Sequence, residues 1–127
     1  MEKKIIATTG APGAIGPYSQ ACEAGDFVFV SGQLPIDPAT GAFPEGGIAE
    51  QTRQSLTNAK NILESVGSGM DKVVKTTVFL SDIANFGAMN EVYGTFFTEG
   101  GYPARSAVEV ACLPKNALVE IEVIALV

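Results

Sequence analysis

The sequence predicts an α+β domain: a mixed β-sheet with two helices packed on one of its faces. Three observations carry this. Two stretches place apolar residues at steps of three and four, the period of an amphipathic helix. Shorter stretches between them are rich in β-branched and aromatic residues, the composition of strands. Their order, β, β-hairpin, α, β, α, β, β, gives two helices to cover one sheet. With 127 residues, 46% of them hydrophobic and 17% charged, the chain is expected to form a single domain over 1–127. A chain of this length buries about two thirds of its unfolded surface.

Each element has its own warrant. Lys4 to Ala7 is short and β-like, and the Gly- and Pro-punctuated run Thr9 to Pro17 reads as an ordered surface loop. Tyr18 to Glu23 and Phe27 to Ser31 flank Ala24-Gly25-Asp26, a hairpin signal. Gly32 to Gly47, holding Pro35, Pro38 and Pro44, is a long loop of the kind that often carries function. From Ile48 the period changes: Thr52, Ser55, Leu56, Ala59, Ile62, Leu63 and Val66 continue one face of a helix that stops at Gly67 and Gly69. Lys72 to Leu80 is a strand buried on at least one face. Asp82 is placed to cap a second helix with the stripe Phe86, Met89, Tyr93, Phe96 and Phe97, ended by Gly100, Gly101 and Pro103. Arg105 to Leu113 and Ala117 to Val127, separated by Pro114, Lys115 and Asn116, read as paired antiparallel strands.

Composition excludes several functions. Lys and Arg number 8 against 14 Asp and Glu, a formal net charge of −6. Such a field repels phosphate backbones and anionic lipid, so neither nucleic acid nor membrane is an expected partner. Histidine is absent, which removes Ser-His-Asp and Cys-His nucleophile pairs, HExxH metal sites and imidazole bases. Acid–base chemistry falls to Glu, Asp, Tyr, Lys or cysteine. Cys22 and Cys112 are too few and too distant for a zinc site and are expected to be buried, reduced thiols; no metal is foreseen. The amino terminus has no apolar run of signal-peptide length, and no segment reaches the roughly 18 apolar residues of a membrane span. A reducing cytoplasm is the default location.

Two helices on one face leave the other face of the sheet open, yet Phe27 to Val30, Val73 to Leu80 and Ala117 to Val127 are apolar on both sides. Other copies of the chain are the simplest cover. Arg105, one of only two arginines, begins a nearly uncharged strand beside a Gly-Gly-Tyr-Pro turn. Its fork suits bidentate capture of a carboxylate, with a surface or interface ion pair as the competing reading. Glu120 and Glu122 lie two apart on one face of the last strand among aliphatic neighbours. A carboxyl group there has a raised pKa and can carry protons; an outward polar row is the alternative for either residue.

In a plain hairpin centred near Lys115, Arg105 pairs near position 125, roughly 17 Å along the strand from Glu120. The two would then meet across a subunit interface rather than within a chain, so a shared Arg–Glu site would itself imply an oligomer. Weaker candidates are Tyr18, after Gly16-Pro17, and Ser31-Gly32-Gln33, where backbone N–H groups can face a small anion. Asn90, on the apolar stripe of the second helix, is an amide that needs a partner, either a loop or a ligand. Phe96 and Phe97 read as core.

Taken together, Ala11-Pro12-Gly13-Ala14-Ile15-Gly16-Pro17-Tyr18, Ser31-Gly32-Gln33-Leu34-Pro35, Asn90-Glu91-Val92-Tyr93, Tyr102-Pro103-Ala104-Arg105-Ser106 and Leu113-Pro114-Lys115 followed by Val119-Glu120-Ile121-Glu122 resemble the Rid/YjgF family of imine deaminases. The resemblance spans nearly the whole chain, in order. It implies a chorismate-mutase-like α+β fold and a homotrimer whose strands form a central barrel, with three pockets at the subunit clefts. It further implies hydrolysis of reactive 2-enamine and 2-imino acids, such as 2-aminoacrylate, 2-iminopropanoate or 2-iminobutanoate, to 2-keto acids and ammonia without a cofactor. In that chemistry Arg105 would clamp the substrate carboxylate, fixing the imine carbon for attack by water. Glu120 would orient or deprotonate that water and return a proton to nitrogen. Backbone groups near Gly32 and Ala107 would complete the carboxylate site, and Tyr18, Ser31 and Asn90 would line the pocket.

One position departs from the resemblance. Many close family members carry cysteine two residues after the arginine, where this chain has Ala107, so no thiol chemistry can occur there. Two other functions share the pattern. Members of the family have also been described as ribonucleases and translation inhibitors, a reading disfavoured here by the net charge of −6 and the missing histidine. A trimeric module that binds 2-keto acids or similar metabolites without turnover would use the same Arg105 pocket.

Overall fold

Alternation along the strands sets the two faces of the sheet. In the computed structural model, which describes residues 1–127, Val119, Ile121, Val123 and Ala125 of the last strand are buried while Glu120, Glu122, Ile124 and Leu126 point the other way. The strands are β1 (Lys3–Ile6), β2 (Ala21–Ala24), β3 (Phe27–Gln33), β4 (Val73–Leu80), β5 (Ala104–Glu109) and β6 (Val119–Leu126), and the helices α1 (Ile48–Glu64) and α2 (Phe86–Gly94). They form one mixed sheet in the order β1-β2-β3-β6-β4-β5. This is the expected α+β architecture. Val28, Val78, Leu80, Val119 and Ile121 pack beneath Leu56, Ala59, Ile62 and Leu63 of α1 and Met89 of α2, all fully buried. Each large aliphatic side chain so buried contributes about 1.5–3 kcal/mol. The opposite face leaves Ile5, Phe27, Phe29, Val108 and Leu126 exposed.

The last two strands do not pair with each other. β4 lies between them, antiparallel to β6 and parallel to β5. The β4–α2–β5 passage is a crossover, which returns the chain parallel to the strand it left. Pro114, Lys115 and Asn116 therefore do not turn a hairpin. The segment 110–118 instead wraps the end of β4: the Val110 N–H donates to Leu80 O and the Ser81 N–H to Leu118 O. Lys115 and Asn116 both take φ of 57°, the left-handed conformation that lets the chain reverse.

Other boundaries moved for local reasons. β2 begins at Ala21 rather than Tyr18, because the buried Gln20 side chain is taken up by the preceding loop. β3 continues to Gln33 across a bulge against β6 between Val30 and Gln33. Asp82 caps a single 3₁₀ turn, Ile83–Asn85, its Oδ1 accepting the Ala84 N–H at 2.9 Å, and α2 follows that turn. α2 ends at Gly94, so Phe96 and Phe97 pack on the core from the turn beyond it. Neither cysteine is buried as expected. Cys22 faces the open side of the sheet opposite Phe29, and Cys112 is exposed because β5 stops at Glu109. No helix is long and apolar enough to cross a membrane.

Three amide side chains hold the loops that border the open end of the sheet. Gln20 donates to Ala11 O and Pro12 O and accepts the Thr8 N–H at 2.7 Å. From α1, Asn58 donates to Leu34 O and Ile36 O, and Asn61 to Gly10 O. Gln20→Ala strands several of these buried groups and is expected to lower unfolding free energy by about 1–3 kcal/mol in urea titrations. An unchanged midpoint would show the loop to be held otherwise.

Candidate functional site

The residues singled out from the sequence gather at two places. The first is built by α2 on β5. Phe86, Asn90 and Tyr93 recur at steps of four and three along α2, which aligns them on one helical face. That face meets Arg105, the second residue of β5. The Arg105 guanidinium carbon lies 4.7 Å from the Tyr93 ring centre and 5.3 Å from that of Phe86. Its Nη1 donates to Asn90 Oδ1 at 2.6 Å. Asn90 is exposed, and the partner its Oδ1 has within the fold is the arginine.

The only ion pair in the chain is Lys4–Glu23, so Arg105 has no carboxylate partner and most of its N–H fork is free. It opens onto a cleft of about 510 Å³ shared with Tyr102, Pro103 and Gly94. Ala107 is two residues further on the same face of β5, packed against the core. Because the Val110 N–H points to β4, alternation turns the Arg105 and Ala107 N–H groups outward along the free edge of the sheet.

The second place is a larger cleft of about 850 Å³ between the loops that Gln20 and Asn58 hold. Tyr18, Ser31, Gly32 and Glu120 all line it. Ser31 Oγ donates to Ser19 O at 2.6 Å, leaving its lone pairs to accept from a ligand. Burial pushes the Glu120 carboxyl above its ordinary value, and the neighbouring charge of Glu122 pushes it the same way. Gly32 makes room for that carboxyl: a Cβ there would come within 3.0 Å of Glu120 Cδ and Oε2. Gly32→Ala is therefore expected to displace the Glu120 carboxyl with little change in melting temperature, a shift that a crystal structure of the variant would show. An unmoved carboxyl would show that the glycine leaves no needed space.

Within one chain the two places stay apart. Arg105 stands opposite Thr76, which stands opposite Val123, and all three face the helices. Glu120 stands opposite Phe79 and shares the other face with Glu122. Arg105 and Glu120 are thus two strands and three residues apart, roughly 14 Å at ordinary strand spacing and rise, on opposite sides of the sheet. The separation foreseen from the sequence exists, though it arises from an intervening strand and not from the register of a hairpin.

Two residues escaped the sequence reading. Tyr93 has a place in the apolar stripe and in the Asn90-Glu91-Val92-Tyr93 motif but no role of its own in the sequence reading, yet its ring lies under the guanidinium and its hydroxyl meets Thr76 Oγ1 at 2.7 Å. The signal was its position three after Asn90 on the same helical face. Lys115, part of a turn and of the Leu113-Pro114-Lys115 motif but given no site role, lines the Glu120 cleft, and nothing local in the sequence places it there.

The fold and these two clefts define a protein of the Rid/YjgF class. A family model described as Endoribonuclease L-PSP matches residues 8–127, and the chain belongs to that family. It is 54% identical over 123 residues to a RutC family protein of Pyrococcus horikoshii, covering 97% of each chain. It is 52% identical over 124 residues to a 2-iminobutanoate/2-iminopropanoate deaminase of Salmonella typhimurium, covering 96% of each. The crystal structure of YyfA from Yersinia pestis, a protein of unknown function of the conserved Rid family, superposes with a TM-score of 0.95 at 50% identity, covering 99% of this chain and 100% of that one. Relatives thus include named imine deaminases as well as proteins without an assigned reaction.

Proposed function

We propose that the protein is a cytoplasmic, cofactor-independent hydrolase of 2-imino acids, working as a homotrimer with each active site shared by two chains. The observation that carries this is the complementary pair of incomplete sites. One presents an arginine with no counter-ion, the other a carboxyl group whose proton affinity is raised, and a single chain holds them on opposite faces of its sheet. An adjacent copy that covers the exposed apolar face and extends over the free edge at β5 would bring its own Glu120 cleft toward Arg105.

In the joined site Arg105, with the outward N–H of Ala107, holds the carboxylate of a 2-imino acid and fixes the electrophilic carbon. Glu120 accepts a proton from water as the water oxygen attacks that carbon, and returns it to the imine nitrogen to give the neutral carbinolamine. Glu120 then takes the carbinolamine hydroxyl proton and passes it to the amino nitrogen, so that the C–N bond breaks, ammonia leaves and the carbonyl of the 2-keto acid forms. Ser31 accepts from the imine N–H, Tyr18 and Gly32 border the substrate, and Asn90 holds Arg105.

The test is a coupled assay in which a dehydratase releases 2-iminobutanoate and 2-keto acid formation is followed with and without the protein. Acceleration is expected. Its absence, with 2-ketobutyrate still bound, would leave a metabolite-binding trimer. Mixing unfolded Arg105→Ala and Glu120→Gln chains and refolding them together is expected to restore about a quarter of the sites, the random frequency with which each competent half meets the other. No recovery would overturn the shared site. RNA cleavage, the activity that the family's name describes, predicts binding that weakens with salt, and the net charge of −6 makes the expected result no binding even at low salt.

A further inference from the structure

The surroundings of Arg105 contain more than the proposed reaction uses. Arg105 has no acidic neighbour to steady it, and the groups that hold the guanidinium are neutral: the faces of Phe86 and Tyr93 and the amide oxygen of Asn90. Tyr93 is itself held. It is buried, its ring packs at a 45° tilt against Phe97 with the ring centres 4.9 Å apart, and its hydroxyl meets Thr76 Oγ1 at 2.7 Å. Thr76 is also buried and is the residue of β4 directly opposite Arg105 in register. Strand, helix and arginine therefore close a triangle in which β4 fixes the ring and the ring carries the cation.

We infer that Tyr93 is the positioning residue for Arg105, braced by Thr76, and that this uncharged aromatic cradle sets the affinity of the site for substrate carboxylates. The inference rests on the imine-deaminase reading of the same site. A carboxylate beside Arg105 would hold it equally well, but would occupy the N–H fork and cancel the charge that the substrate needs. An aromatic face attracts the cation through its quadrupole while leaving the N–H edge open. Thr76 matters because a tyrosine hydroxyl without a buried partner would swing toward solvent and take the ring with it.

The test compares Tyr93→Leu, Tyr93→Phe and Thr76→Val in the full chain, with two readouts beside the melting temperature: KM and kcat in the coupled imine assay, and Kd for 2-ketobutyrate by calorimetry. Tyr93→Leu is expected to raise KM and Kd together by about tenfold, with a smaller effect on kcat, because the lost cation–π contact acts on carboxylate capture. Tyr93→Phe, which keeps the ring, should recover most of that loss, and Thr76→Val should fall between them. Equal damage from Phe and Leu, or a fall in melting temperature with Kd unchanged, would assign Tyr93 a merely structural role and overturn the inference. Should Tyr93→Leu not fold, Phe86→Leu tests the other wall of the cradle at a partly exposed position, with a rise of about threefold expected and an unchanged Kd overturning it. If the unaltered protein binds 2-ketobutyrate but accelerates no hydrolysis, the deaminase reading fails while the Kd series still decides the cradle. If it binds no 2-keto acid, the cradle falls with it.

Discussion

Arg105→Ala is expected to lower kcat/KM for 2-imino acids by about three orders of magnitude while the chain remains folded. A bidentate guanidinium–carboxylate contact supplies two charge-assisted hydrogen bonds of about 1.5–3 kcal/mol each, and every 1.4 kcal/mol is a factor of ten. Little of the fold depends on this side chain. Its hydrogen bond to Asn90 is exposed, it belongs to no ion pair, and its loss uncovers only the edges of Phe86 and Tyr93. Arg105→Lys separates charge from geometry. It keeps the cation but loses the planar fork and the stacking, so an intermediate loss of about one to two orders is expected. Full activity in Arg105→Ala would remove the carboxylate clamp from the mechanism, and lysine matching arginine would reduce the site to a point charge.

How much of this was legible in the sequence follows from which interactions are local. The alternation of β6 is written in Val119-Glu120-Ile121-Glu122-Val123, so the shared face of the two glutamates could be read directly, while the half-burial of Glu120, which an outward polar row would have denied, comes from the loops that close over it. The stripe of α2 was equally plain, whereas the freedom of Arg105 from acidic partners was not, because the same sequence suited a surface or interface ion pair. The insertion of β4 between β5 and β6 was not, because strand partners are chosen by contacts between residues far apart in sequence, and a short Pro-Lys-Asn segment suits both a hairpin and a wrap around a strand end. The role of Tyr93 was hidden for a related reason. Its neighbours Thr76 and Arg105 lie on two strands that the sequence reading did not place side by side.

Glu120→Gln is expected to reduce kcat by about two to three orders of magnitude, the range of a positioned general base, without lowering stability. The sign follows from the carboxyl's environment. Burial first, and the charge of Glu122 second, raise its folded pKa above the unfolded value. Stability associated with the neutral carboxyl is therefore fully present below the unfolded pKa and is lost as pH rises through the folded one. At neutral pH the ionised Glu120 is a cost to the fold, and glutamine removes it, so the melting temperature should be equal or higher.

The same shift sets the pH profile. A base must be ionised to act, so kcat/KM should fall on the acid side along a limb that begins at higher pH than for an unperturbed carboxylate. Glu122→Gln takes away the second cause of the shift and should move that limb to lower pH with kcat/KM on the plateau little changed. A limb that stays in place in Glu122→Gln would assign the titration to another group. A Glu120→Gln protein that loses stability together with activity would make Glu120 a structural carboxyl rather than the proton carrier.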